Sequence, residues 1–220
     1  MEKTGKAMLP YILPFAAWME LMLTLPATAL CYAVRSAATL AVGGACLALA
    51  ARQSGQERQG GRRFGWPFAL RLAVGVAVGA AVCGAWIALP AWPFAEPVAP
   101  DPSPYAPSVC GWPLTIAKLV GSAFVIAPVE EVFFRSFLYR WLIRRDFRAV
   151  PLDRIDISAF LWTVLLFTLE HDRPVAAALT GILYGLLYLR CGIGSAIAAH
   201  ITTNLLLGLH VIFHNAWQFW

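Results

Sequence analysis

From Leu114 to Ile143 the chain is an apolar run broken only by Lys118, the adjacent Glu130 and Glu131, Arg135 and Arg140. A stretch of that length and character is a membrane helix. A charge near the bilayer centre costs about 2.5–3.5 kcal/mol on the insertion scale, so Glu130, Glu131 and Arg135 are a heavy load. Glu131 and Arg135 are four apart, one above the other on a helix face, and can pair. Glu130 is turned about 100° away and lacks that partner. It must be protonated or bonded to groups from other helices.

The rest of the chain agrees with a bilayer. Its 220 residues are 60% hydrophobic and 13% charged, where a soluble domain carries about 25% charged residues. Mean hydropathy is +0.66. The expected fold is all-α, a polytopic transmembrane helical bundle in one integral membrane domain over residues 1–220, with a catalytic core at about 114–213. No soluble basic surface exists to carry nucleic acid, so the net charge of +5 reads as a topology signal. The cysteines are isolated, without CxxC or Cys/His spacing, and no metal or cofactor is expected. The Lys-flanked N-terminal run is interrupted by Pro10, Pro14 and Glu20 and reads as a retained span rather than a signal peptide.

Seven spans are expected, at about Met8–Leu25, Ala33–Ala51, Phe68–Leu89, Leu114–Leu142, Ile155–Glu170, Val175–Leu189 and Ser195–Phe213. Gly75 and Gly79 form a small-xxx-small pair suited to close helix contact. Pro128 should kink the long helix beside Glu130. Trp86, Trp92 and Trp112 read as interface anchors, and Trp217, Phe219 and Trp220 as an aromatic belt. Seven spans place the head, the basic loops at 52–67 and 140–154 and Arg190 on one side, with the proline-rich loop free of Lys and Arg on the other. That alternation puts the N-terminus in the cytoplasm, with Arg35 and Arg173 as its two exceptions. The Ala-, Gly- and Arg-rich composition suggests a bacterial inner membrane. The absence of an internal repeat argues against most transporter folds.

Two further polar groups stand in apolar runs. Phe167 and His171 share one helix face, and His200 and Asn204 share another. Glu130 lies fourteen residues from Arg144 and His171 seventeen from Arg154, which puts both about 20–26 Å from the inner side at 1.5 Å per residue. The set suits peptide hydrolysis. A carboxylate takes a proton from water, a histidine holds that water or passes the proton on, and a His and an Asn on one face donate to an oxyanion. No GxSxG and no HExxH occurs.

The segments Glu130–Arg135 (EEVFFR), Phe167–His171 (FTLEH) and His200–Asn204 (HITTN) match, in order, the EExxxR, FxxxH and HxxxN motifs. The chain thereby resembles the CAAX prenyl protease and bacteriocin-processing family of glutamate-dependent intramembrane endopeptidases. The resemblance implies that Glu130 activates water with His171 as its partner. It implies that His200 and Asn204 form the oxyanion hole, and that Glu131 and Arg135 support the site, with Phe167 belonging to the same motif set. Its substrate would be a membrane-associated protein or peptide in the lipid bilayer. Met8 to Phe15 further resembles an exosortase-associated bacterial subgroup. Family members commonly have eight spans, so an eighth would lie within Leu114–Ile143. The rival readings are a non-catalytic scaffold or immunity-type protein of the same fold, a metal-dependent hydrolase using Glu130, His171 and His200, and a transporter.

Overall fold

A computed structural model describes residues 2–53, 65–93, 98 and 101–220. Seven long helices carry the chain: α1 (Glu2–Thr24), α2 (Ala29–Gln53), α3 (Phe68–Ala88), α4 (Trp112–Ile143), α5 (Ile157–Leu169), α6 (Pro174–Cys191) and α7 (Ile193–His214). Among the described residues there is no strand. Arg58, Arg62 and Arg63 of the expected basic loop, and Glu96 of the proline-rich loop, lie outside the described residues.

Six of these helices are long and apolar enough to cross a bilayer, and α5 is not. Its 13 residues rise only about 20 Å, against a hydrocarbon core of about 30 Å. The polar turn after it, Glu170–Arg173, therefore begins before a full crossing. The expectation of seven full spans is corrected to six plus this shorter helix. The eighth span sought within Leu114–Ile143 is absent too, since α4 is one continuous 32-residue helical element. Large apolar side chains such as Leu23, Leu40, Leu47 and Leu161 point outward, as a lipid-facing surface requires.

Helical backbone also runs on through Pro128. The irregularity is a change of turn: α4 widens to π-helical turns over Gly121–Ile126 and again over Val132–Leu138, on either side of the two glutamates. Pro128 has no N–H to bond back into a regular helix, and the widened turn just before it accommodates that loss.

Helix packing is set by small residues. α3 lies along α7, where a Cβ at Gly75 would collide with the Ser195 carbonyl and one at Gly79 with the Ala199 carbonyl. The two glycines thus make the close contact their spacing predicts. Gly121 does the same for α4 against Tyr32 and Ser36 of α2. Gly192, at φ 97°, turns α6 directly into α7, its N–H reaching the Leu187 and Tyr188 carbonyls. The main core packs Val82, Tyr139, Ala159, Tyr184, Tyr188 and Ala199 from α3 to α7. A second cluster joins Trp18 and Tyr32 to Ile126 of α4.

The two arginines that break the charge alternation are occupied. Arg173 is buried, donates to the Leu89 carbonyl at 3.0 Å and lies 4.4 Å from the Phe219 ring. Arg35 stacks on Trp18 and Tyr32 at 4.3 and 4.8 Å.

Candidate active site

The mid-section of α4 carries Glu130, Glu131 and Arg135, and each goes where its helical angle sends it. Glu131 and Arg135 face inward, at 0% and 2% exposure, with Arg135 Nε 3.3 Å from Glu131 Oε2. The expected i,i+4 pair is formed. The Arg135 guanidinium also lies 4.4 Å from the Phe167 ring, which puts a cation over an aromatic face in a dry setting. Phe167 itself is fully buried against Phe134 and His171.

His200 reaches this pair from α7. Its Nδ1 is 2.9 Å from Glu131 Oε1. A carboxylate accepts, so Nδ1–H donates, and Nε2 is the nitrogen turned outward. Nε2 lies 3.9 Å from Glu130 Oε2. Arg135, Glu131, His200 and Glu130 therefore form a chain of four charges or dipoles across two helices. Glu130 Oε2 is buried and has no hydrogen-bond partner among the described residues.

His171 arrives from the end of α5. Its Nδ1 is 2.8 Å from the Phe167 carbonyl, so Nδ1–H donates there and the Nε2 lone pair is left free. The ring is held between Phe167, at 4.6 Å, and Trp86, at 5.6 Å. His171 makes no contact of ion-pair length with Glu130; the histidine within 4 Å of Glu130 is His200. Asn204 stands one turn beyond His200 and donates through Nδ2 to the Ser122 carbonyl at 2.9 Å, in the first wide turn of α4. An amide nitrogen carries two hydrogens, and this bond uses one. Below them Tyr184 donates to Thr203 Oγ1 at 2.6 Å, and Thr203 donates to the Gly79 carbonyl at 2.7 Å, which ties α6, α7 and α3 under the site.

Glu130, His171, His200 and Asn204 all line one cavity of about 290 Å³. Phe167 lines it as well, and Glu131 and Arg135 stand behind that wall. Among the described residues no three of His, Cys, Asp and Glu converge as a metal site would need. The cavity also takes in residues that helical periodicity did not single out. Trp86 is turned inward, donating from Nε1 to Thr180 Oγ1 at 2.9 Å, so it is not an interface anchor. Phe219 and Trp220 line the cavity too, Trp220 with its ring 6.3 Å from Tyr105, instead of forming an outward belt. Arg35 and Lys118 complete the far wall. Lys118 and Arg35 carried a signal in the sequence, each as a lone charge in an apolar run.

Residues 112–206 match the family described as Type II CAAX prenyl endopeptidase Rce1-like. The matched segment runs from the start of α4 into α7 and contains all three motif groups. It does not reach Met8–Phe15, on which the likeness to an exosortase-associated subgroup rests. No curated protein and no solved structure matches the chain.

Proposed function

We propose that this chain, whose residues 112–206 match the Type II CAAX prenyl endopeptidase Rce1-like family, is an intramembrane endopeptidase that hydrolyses a peptide bond of a membrane-associated protein or peptide by glutamate-activated water. The observation that carries the reading is Glu130 Oε2, buried without a hydrogen bond in a cavity shared with His171, His200 and Asn204. A buried carboxylate oxygen with no hydrogen bond, facing a space large enough for water, is a base with a task.

In this reading Glu130 takes a proton from water as the water oxygen attacks the scissile carbonyl. His171, its tautomer set by the Phe167 carbonyl, holds that water through Nε2. The oxyanion of the tetrahedral intermediate is met by His200 Nε2 and the remaining Asn204 N–H. Glu131 stabilises positive charge on His200 through the 2.9 Å bond, as an orienting carboxylate does for a catalytic imidazole. Arg135 holds Glu131 in place. Glu130 then returns the proton to the leaving amine, which completes hydrolysis. We place the protein in a bacterial inner membrane with its N-terminus in the cytoplasm, on the strength of the basic cluster from Arg140 to Arg154.

The test is Glu130→Gln, which keeps the shape and removes the base. Membranes with wild-type or variant protein are compared for released peptides. Wild-type-dependent products that vanish in the variant support the reading. Equal release by both would leave a non-catalytic scaffold of the same fold.

A further inference from the structure

The wall of the cavity away from Glu130 holds two cations that the reaction does not use. Lys118 Nζ lies 3.9 Å from the centre of the Tyr32 ring, 4.9 Å from Tyr105 and 5.7 Å from Trp220. Arg35 shares Tyr32 with it and stacks on Trp18. Neither pairs with a carboxylate among the described residues, although Glu130 and Asp172 line the same cavity. Arg35 Nε is buried without a hydrogen bond. Two like charges beside one another in a membrane segment call for an anion. The aromatic faces compensate them in part, and Arg35 keeps an N–H at Nε that no group of the protein takes. A guanidinium with a free N–H, sharing the Tyr32 ring with an ammonium group, suits a carboxylate.

We propose that Arg35 and Lys118 form an anion subsite that takes a carboxylate of the peptide substrate, on a side chain or at the chain end. The proposal rests on the peptidase reading of this cavity. Lys118 and Glu130 stand on one helix, twelve residues apart, which is about 18 Å of rise. An extended peptide covers that in about five residues at roughly 3.3 Å each. The substrate therefore carries its acidic group within about five residues of the bond that is cut. Asp172, an exposed acid in the cavity lining, opposes a further negative charge on the peptide. A phospholipid phosphate has related chemistry. The continuity of one cavity from the two cations to Glu130 favours the substrate as occupant.

The test uses the full chain carrying Glu130→Gln, in a neutral detergent, so that binding is read without hydrolysis. The probes are acetyl-Ala-Leu-Ala-Leu-Ala-Leu with a free C-terminal carboxylate, its C-terminal amide, the amide with the last Leu replaced by Asp, and dihexanoyl phosphatidylglycerol. Binding is followed by tryptophan fluorescence, since Trp18, Trp86 and Trp220 line the cavity. At least one carboxylate peptide should bind about tenfold or more tightly than the plain amide, the scale of a hydrogen bond to a charged group. Lys118→Met or Arg35→Gln should bring the difference to within about twofold, and Lys118→Arg should keep most of it. Equal affinity for acid and amide, binding of no peptide, or a preference that survives both neutral variants overturns the proposal. So does binding of phosphatidylglycerol alone with the Lys118 and Arg35 dependence, which makes this a headgroup site. The acid–amide comparison is made on the unmutated subsite and stands even if one variant fails to fold. Failure of the peptidase reading shows separately, in the peptide-release comparison at Glu130.

Discussion

Arg135→Ala should cost this protein stability before it costs chemistry. Removing one partner of a buried ion pair typically destabilises by about 3–5 kcal/mol, because the other charge is left uncompensated. Here Glu131 is fully buried, but it keeps its 2.9 Å bond to His200. A hydrogen bond to a charged group contributes about 1.5 kcal/mol at the low end. The net loss should therefore be about 2–4 kcal/mol, including the lost contact of the guanidinium with the Phe167 ring. For a chain of this size each kcal/mol moves the melting temperature by about 2–4 °C, so a fall of about 5–15 °C is expected in detergent. Specific activity of the surviving fraction should fall less than about tenfold, since Arg135 pairs with Glu131 and makes no ion pair with Glu130 itself. The double variant Glu131→Gln/Arg135→Met removes both charges and should melt higher than Arg135→Ala alone. The assay is thermal melting beside initial rates on the same purified samples. Melting within about 2 °C of wild type, or a double variant no more stable than the single one, would refute the argument. A stable Arg135→Ala protein with catalysis lost would give Arg135 a direct role in the reaction.

Glu130→Gln should insert and accumulate like wild type yet retain less than a few per cent of its hydrolytic rate; a higher residual rate removes Glu130 as the base. Asn204→Ala should lower turnover by about 10²–10³ with little change in substrate affinity. It should also lose roughly 1 kcal/mol of stability with the bond to the Ser122 carbonyl. A lowered melting temperature with an unchanged rate would reduce Asn204 to a helix tie. Gly79→Ala should lower melting by the equivalent of about 1–3 kcal/mol, because its Cβ meets the Ala199 backbone, which cannot yield as a side chain would; unaltered melting would mean α3 and α7 do not pack so closely. Trp86→Phe should loosen His171 through the lost bond to Thr180 and raise KM or lower kcat without reducing yield; unchanged kinetics would make Trp86 mere filling.

What the sequence by itself determined is local. Hydropathy placed the long helices, and four-residue spacing placed the Glu131–Arg135 and His200–Asn204 pairs on shared faces, while His171 falls just past the end of α5 and reaches Phe167 through its carbonyl. It located the small-residue contact at Gly75 and Gly79 as well. These follow from the rise and turn of one helix, which the chain carries with it wherever the helix goes. Only the tertiary structure decided which faces meet. It brought His200 rather than His171 to Glu130, and turned Trp86 and Trp220 into the cavity. It set Lys118 and Arg35 on the wall facing the reaction. In water, apolar periodicity would have announced those rotations, because one side of each helix would be polar. In a bilayer the lipid tails are as apolar as a core leucine, so both sides of a span look alike in sequence. The rotation is then set by close backbone approaches at a few glycines and by the length of α5, which ends early enough to leave His171 at the cavity.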